Sequence, residues 1–343
     1  MQKLRIAPAC YHVLHLIPIM AAHEMNYFYD EGLHDEDGRR SYEIVRDGLA
    51  PFMFEQETLA QRMKEQSIDI AMDVKPSTVA YLQKKGHELY IVAGWRNQQS
   101  GYIIARPEIK TLPELRGKRI GVIDLTDVLV TVAAPWLKRA GVDPDHGVVW
   151  VTGVYPRSAP GELLAGTIDA GFVDRPDSAP LLEQGYNIVL DIKDHYPNGR
   201  PDRIIAATGE ALEQKPEMVK ACLRGMVRAY WYMRRQPDTF EQVSNLERRL
   251  RQESPCRTEH RTLLTCFSPD HMEQCLPFPY DGMPTGLADY LQEAIELGKI
   301  EDYDLEKMCS LGLMREGFAE LAGRPELQPH LERIKSLVAR LGY

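Results

Sequence analysis

The chain has 343 residues, of which 44% are hydrophobic and 27% charged, and a formal net charge of −9. Such a length buries a large core and accommodates two lobes. The acidic balance excludes a nucleic-acid binder, which needs a basic face to displace counterions. It leaves room for a small anion held by a local cation.

The N-terminal stretch "MQKLRIAPACYHVLHLIPIMAAHEM" has the basic start and apolar middle of an export signal, but Pro8, His12, His15 and Pro18 interrupt it. No small-residue cleavage site follows. It therefore reads as strand, loop and helix, and the chain as it stands is expected to be cytoplasmic. It would be periplasmic if Met1 replaces an export signal. No apolar run of about 18 residues occurs, so no membrane insertion is expected.

Short apolar strand candidates then alternate with helical patterns. The strands are "KLRIAPA", "YEIVRD", "IDIAMDV", "ELYIVAGW", "GYIIARP", "RIGVID", "VVWVTGV", "DAGFVD", "NIVLDI" and "RIIAATG". Helices such as "ETLAQRMKEQ", "STVAYLQKKG", "VLVTVAAPWLKRAG" and "APGELLAGT" lie between them, with helix-ending glycines at Gly86 and Gly141. This alternation predicts an α/β architecture with mostly parallel sheets. From about residue 210 the pattern is helical only, and Pro216 opens a long helix where proline is tolerated. No internal repeat, GxGxxG turn, Walker-type loop or GxSxG elbow is read in the chain.

Six cysteines are too sparse for a disulfide framework in so long a chain. Cys256, Cys266 and Cys275, with His260 and His271, lack the C-x-x-C and H-x(3–5)-H spacings of a zinc site. Neither a metal nor a cofactor is expected. Free thiols in turn favour a reducing compartment.

The order of segments resembles the NMT1/THI5-like branch of the type II periplasmic-binding-protein fold. The resemblance rests on "QSIDIAMDVKPSTVAYLQKKG", "TLPELRGKRIGV" and "GTIDAGFVDRPDSAPLLEQGY", and covers roughly residues 4–240. It implies two α/β lobes joined by a hinge, with ligand held between them. Residues 1–103 form lobe one, 104–203 lobe two, and 204–240 return to lobe one. Residues 241–343 form a helical extension expected to pack on lobe one. The branch includes solute receptors of ABC importers, so a small organic anion and an ABC permease are the implied partners. It also includes enzymes, among them an aromatic sulfinate desulfinase with a cysteine at the end of its first strand.

Ligands in open α/β sheets sit beyond the carboxyl ends of strands, facing helix N-termini. That rule selects Cys10, Tyr11 and His12 after the first strand. It selects Asp73, Lys75 and Ser77 after the third, and Trp95, Arg96 and Asn97 after the fourth. From lobe two come Asp124, Thr126, Tyr155, Asp174 and Arg175. Ser77 and Thr126 also read as N-caps. Trp95 reads either as core or as a stacking surface for a planar ligand. Arg175, after an apolar strand and before a proline, is placed to hold a carboxylate or sulfonate bidentately.

The leading expectation is a solute-binding protein that grips a small aromatic or planar anion, such as an aromatic carboxylate. The alternative is a cofactor-independent desulfinase or decarboxylase. In that reading Cys10 acts as nucleophile or proton donor and His12 is its proton partner. Cys10 falls at the desulfinase cysteine's position, whereas the enzyme's partnering His and Arg find no clear match. The cysteine-rich cluster of the pyrimidine synthases is missing as well.

Overall fold

The computed structural model describes residues 3–9, 13–46, 49, 56–96, 101–125, 128–156, 158–197, 199–233, 240–253, 284, 286–329 and 331–332. All ten strand candidates lie in strands, which sort into two five-stranded sheets. The first contains β1 (Leu4–Pro8), β2 (Tyr42–Ile44), β3 (Ile70–Val74), β4 (Leu89–Arg96) and β10 (Arg203–Thr208), in the order β2-β1-β3-β10-β4. The second contains β5 (Tyr102–Ala105), β6 (Arg119–Gly121), β7 (Val149–Val151), β8 (Ala170–Val173) and β9 (Asn187–Asp191), in the order β7-β6-β8-β5-β9. β3 is buried along its whole length and β10 along all but its last residue. Strands covered on both faces read in this way, as unbroken apolar runs.

The sheets are mixed, which corrects the expectation of mostly parallel ones. β10 runs antiparallel to both β3 and β4, and β5 antiparallel to both β8 and β9. In each sheet the antiparallel strand is the one that follows a chain crossing, β5 after β4 and β10 after β9. Both sheets therefore have one topology, with β1, β2, β3, β10 and β4 matched by β6, β7, β8, β5 and β9.

That equivalence uncovers an internal duplication which the sequence reading missed. "SIDIAMDVKPST" at 67–78 and "TIDAGFVDRPDS" at 167–178 each run through an aspartate, a buried strand and a cation–proline pair into a helix. The two copies share few identities, because apolar strand positions accept many residues that fill the same space.

Helices cover both faces of each sheet. On one face of the first sheet lie α1 (Val13–Glu24) and α2 (Tyr27–Asp30). On the other lie α3 (Gln56–Glu65) and α4 (Pro76–Lys84). The second sheet carries α5 (Val128–Arg139) on one face, with α6 (Ala159–Ala165) and α7 (Arg175–Glu183) on the other. A short helix α8 (Ile192–His195) begins the second crossing, with Asp191 capping it through Lys193 N at 2.9 Å. After β10 come α9 (Gly209–Gln214), α10 (Pro216–Met233) and α11 (Phe240–Glu253).

The tail supplies α12 (Leu287–Glu296), α13 (Leu305–Met308) and α14 (Gly312–Ala322). Helix α14 packs on α10, and the seam is electrostatic as well as apolar. Glu31, whose side chain is fully buried, meets Arg224 at 2.7 Å, Arg228 at 2.9 Å and Arg324 at 2.8 Å. Helix α12 does something different, touching both α4 and α5.

Among the described residues no helix is long and apolar enough to cross a membrane. Nor does any cluster of three or more His, Cys, Asp or Glu offer a metal site among them. Cys256, His260, Cys266, His271 and Cys275 lie outside the described residues.

Candidate functional site

An antiparallel strand starts at the edge where its parallel neighbours end. The carboxyl edge of the first sheet is therefore built from the end of β3 and the start of β10. The ladder pairs Ile204 with Val74 and Ile205 with Met72, so Asp73 has no opposite residue and forms a bulge. Its φ is +71° and it is 2% exposed. A non-glycine residue rarely takes the left-handed region inside a strand, and a bulge there re-aims the side chain. Strained positions of this kind concentrate at functional sites.

Asp73 Oδ1 lies 3.8 Å from Nε of Arg203. Arg203 Nη1 donates to Asp202 Oδ1 at 2.5 Å. All three side chains are buried, Asp73 at the end of β3 and Asp202 and Arg203 at the start of the strand that returns from the second sheet. Burial of such charges is tolerated because they are paired.

Just upstream, Arg200 is 1% exposed and stacks between two tyrosine rings, 5.1 Å from the centre of Tyr196 and 4.8 Å from that of Tyr290. Its Nη2 donates to the Thr131 carbonyl at 2.9 Å, and its Nε to Glu293 Oε2 at 3.3 Å. Burial pushes the Glu293 carboxyl up, and the nearby Arg200 opposes that shift. Burial also raises both phenols, that of Tyr196 to about 12. They remain protonated donors across the physiological range.

The second sheet has a matching edge. Tyr102, the first residue of β5, pairs in register with Val173 and Asp191. Arg175 stacks over the Tyr102 ring at 4.6 Å, donates to its hydroxyl at 2.8 Å and to Asp191 Oδ1 at 2.6 Å. Part of the guanidinium proposed from sequence as an anion grip is thus engaged by residues of its own sheet, while its side chain keeps 21% exposure.

The other sequence-selected residues fall as follows. Lys75 is the N-cap of α4, with Pro76 in the first turn, so Ser77 is not the cap that was expected. Ser77 instead places Oγ 3.1 Å from the Tyr290 hydroxyl. Trp95 is 1% exposed and packs edge-on against Tyr230 at 5.7 Å. It is a core residue here, because its strand position points into the helical face of the sheet rather than toward the edge. Asp124 is half-buried and Tyr155 exposed, and Asp174 is the N-cap of α7. Cys10, Tyr11, His12, Asn97, Thr126 and the side chain of Arg96 lie outside the described residues.

The sequence reading missed Tyr102, Asp191, Arg200, Asp202, Arg203, Tyr290 and Glu293. Several were within reach. "GRPDR" precedes an apolar strand, and if that strand is antiparallel its first residues join the carboxyl edge. Among the described cysteines, Cys222 is buried with its thiol pushed up, and burial raises that of Cys309 to about 11. Neither is an activated thiolate.

Comparison with known proteins agrees with this architecture. The chain resembles the periplasmic aliphatic sulphonate binding protein SsuA of Escherichia coli, with 17% identity and a TM-score of 0.61 over 90% of this chain and 92% of that one. It is similar to the periplasmic nitrate-binding protein NrtA of Synechocystis PCC 6803, with 14% identity and a TM-score of 0.61 over 95% and 90% of the two chains. The desulfurization enzyme DSZB shares the fold with 14% identity and a TM-score of 0.55, over 93% of this chain and 99% of that one. No curated protein sequence matches the chain. The profile described as NMT1/THI5 like matches residues 14–240, well over half the sequence, and the chain belongs to that family.

Proposed function

We propose that this protein is a solute-binding protein that holds a small organic anion between the carboxyl edges of its two sheets and delivers it to an ABC permease. The observation that carries this reading is the duplicated strand end. Lys75–Pro76 and Arg175–Pro176 occupy equivalent posts, each opening a helix of nine residues beyond a buried strand. An anion lying between the two edges would meet a cation and the positive end of a helix from each side. Arg203 adds a third cation, buried at the first edge. The exposed Leu125 and Tyr155 beyond β6 and β7 favour an anion with an apolar or aromatic body. Fold likeness to sulphonate- and nitrate-binding proteins supports the class of ligand without selecting one.

A thermal-shift screen of aromatic carboxylates, alkane- and arylsulfonates and pyrimidines tests this. A stabilising compound whose effect falls at least tenfold in apparent affinity in both Lys75→Ala and Arg175→Ala supports the reading. Hits indifferent to both substitutions remove the duplicated strand ends from the site.

The fold likeness to a desulfurization enzyme favours a second reading, in which Cys10 reacts with an aromatic sulfinate or carboxylate. A mutant of that enzyme carrying serine in place of a cysteine has been crystallised with biphenyl-2-sulfinic acid. Turnover of an aryl sulfinate that is abolished by Cys10→Ser, with binding retained, would establish the enzyme. A Cys10 thiol that alkylates only at the pH of ordinary cysteine would argue against it.

A further inference from the structure

The tail is attached to the rest of the molecule at two seams of different character. Helix α14 lies on α10, and Ser310 N donates to the Ile91 carbonyl of β4 at 2.8 Å, so this part of the tail belongs to the first sheet. Helix α12 starts on the same side, with Leu287, Tyr290 and Leu291 in the core beside α4. It then runs across the second crossing. Gly286 lies so close to the Gly199 carbonyl that a Cβ would collide with it. The Tyr196 hydroxyl and Arg200 Nε both lie near Glu293 Oε2, at 3.2 and 3.3 Å.

The far end of α12 reaches the second sheet. Glu293 Oε1 is 3.6 Å from Arg139 Nη2, Glu296 Oε2 is 3.8 Å from the same atom, and Lys138 Nζ donates to the Glu296 carbonyl at 3.2 Å. Arg139 and Lys138 end α5, the helix that covers one face of the second sheet. One helix thus touches the first-sheet body, the connecting chain and the second-sheet body.

The contacts differ in strength along its length. Glu293 and Arg200 form a buried pair, and breaking such a pair is expensive. The side chain of Arg139 is 45% exposed, and its ion pairs are screened by water. Beside them a cavity of about 480 Å³ separates α5 from the end of α12, lined by Val130, Ala134, Lys138, Asp143, Glu296 and Lys299 among others. The seam with the second sheet is therefore the weak one, and the seam with the first is the anchor.

We propose that α12 is a strap, anchored on the first-sheet body, which clamps the second crossing and holds the second-sheet body in one setting. Opening releases the Lys138 and Arg139 contacts and the bonds of Arg200 and Tyr196 to the Thr131 and Val132 carbonyls of α5, and it widens the existing cavity, while the Glu293–Arg200 pair stays with the crossing. Crossing segments are where two-body proteins of this kind bend, so a helix packed across one sets the resting position of the hinge. The strap acts on the hinge and stands whether the site binds or reacts.

The test measures the distance between the two bodies in the full chain without ligand. Spin labels carried on non-cysteine residues at Lys64 in α3 and Glu183 in α7, both exposed, report it by pulsed electron resonance. The double substitution Lys138→Gln/Arg139→Gln should raise the population at longer distance roughly fivefold over wild type. It should do so with little change in the urea midpoint, since both side chains lie at the helix surface. Glu293→Gln should shift the distribution in the same direction. A double variant with the wild-type distance distribution overturns the strap, whatever its stability. Should Glu293→Gln fail to fold, the double variant decides alone.

Discussion

Asp69 and Asp169 hold the same post in the two sheets. Each sits one residue before a central strand and accepts the backbone N–H of the arginine in the adjoining strand, Arg5 at 2.7 Å and Arg119 at 2.9 Å. Each returns its own N–H to that arginine's carbonyl. The pair of bonds fixes the register between β1 and β3 and between β6 and β8, and with it the position of the strand ends that form the two edges.

Asp169 makes this device sensitive to acid. Hydrogen bonds from Arg119 hold its carboxyl at about 2, against an ordinary 3.8. Between those values the unfolded chain binds more protons than the folded one. The contribution is therefore complete above about pH 4 and is lost as pH falls toward 2. It amounts to roughly 1–2 kcal/mol after allowing for the partly exposed Arg119. Urea midpoints should show Asp169→Asn destabilised at pH 6, with the gap to wild type narrowed to less than half by pH 2.5. A gap constant across that range would contradict the assignment.

Glu31→Gln should be among the most damaging single changes outside the sheets. It leaves Arg224, Arg228 and Arg324 around a neutral group, and loss of one partner in a buried charge cluster costs about 3–5 kcal/mol. Burial opposes ionisation of Glu31, but its three arginines win and hold the carboxyl below its usual range. The stability it provides is present above pH 4.5 and disappears as pH falls through the lowered value. Hydrogen exchange in residues 312–327 should accelerate in the variant at neutral pH. Unchanged protection there would show that the cluster does not hold the tail.

The hydroxyls of Ser77 and Tyr290 join α4 to the tail through one buried hydrogen bond. Removing either partner strands the other, at about 1–2 kcal/mol, whereas removing both should cost little more than one. A double-mutant cycle with Ser77→Ala and Tyr290→Phe, read by urea unfolding, should return a coupling near 1 kcal/mol. Simple additivity would show that the two hydroxyls do not interact.

Asp73→Gly sets two effects against each other. Glycine relieves the left-handed backbone, worth about 1 kcal/mol. It also removes a buried carboxylate 3.8 Å from Arg203, whose closer partner Asp202 remains at 2.5 Å, a loss of about 1–2 kcal/mol. The two nearly cancel, leaving the variant within about 1 kcal/mol of wild type in urea unfolding. A loss above about 3 kcal/mol would show that Asp73 is the main partner of Arg203.

Trp95→Phe should lower stability by about 1–3 kcal/mol through imperfect repacking against Tyr230. Any anion that raises the melting temperature of wild type should raise that of the variant equally. A selective loss of that shift would return Trp95 to the binding site.

Strand positions were legible in the chain because apolar runs of four to eight residues flanked by glycine and proline leave few alternatives. The family was legible for the same reason, as an order of such runs. Half of the edge was legible too: Lys75, Asp174 and Arg175 follow strands and precede helices, a purely local relationship.

What the sequence determined by itself is the set of elements and their order, since propensity and periodicity act over neighbouring residues. Only the tertiary structure decided strand direction, and direction decides which residues share an edge. Because β5 and β10 enter antiparallel, Tyr102 and Arg203 at their starts join Asp191 and Asp73 at the ends of their neighbours. Tyr290 meets Ser77 across 213 positions of sequence. No local pattern encodes these meetings, because they depend on how the chain crosses twice between two sheets and then folds its tail across the crossing.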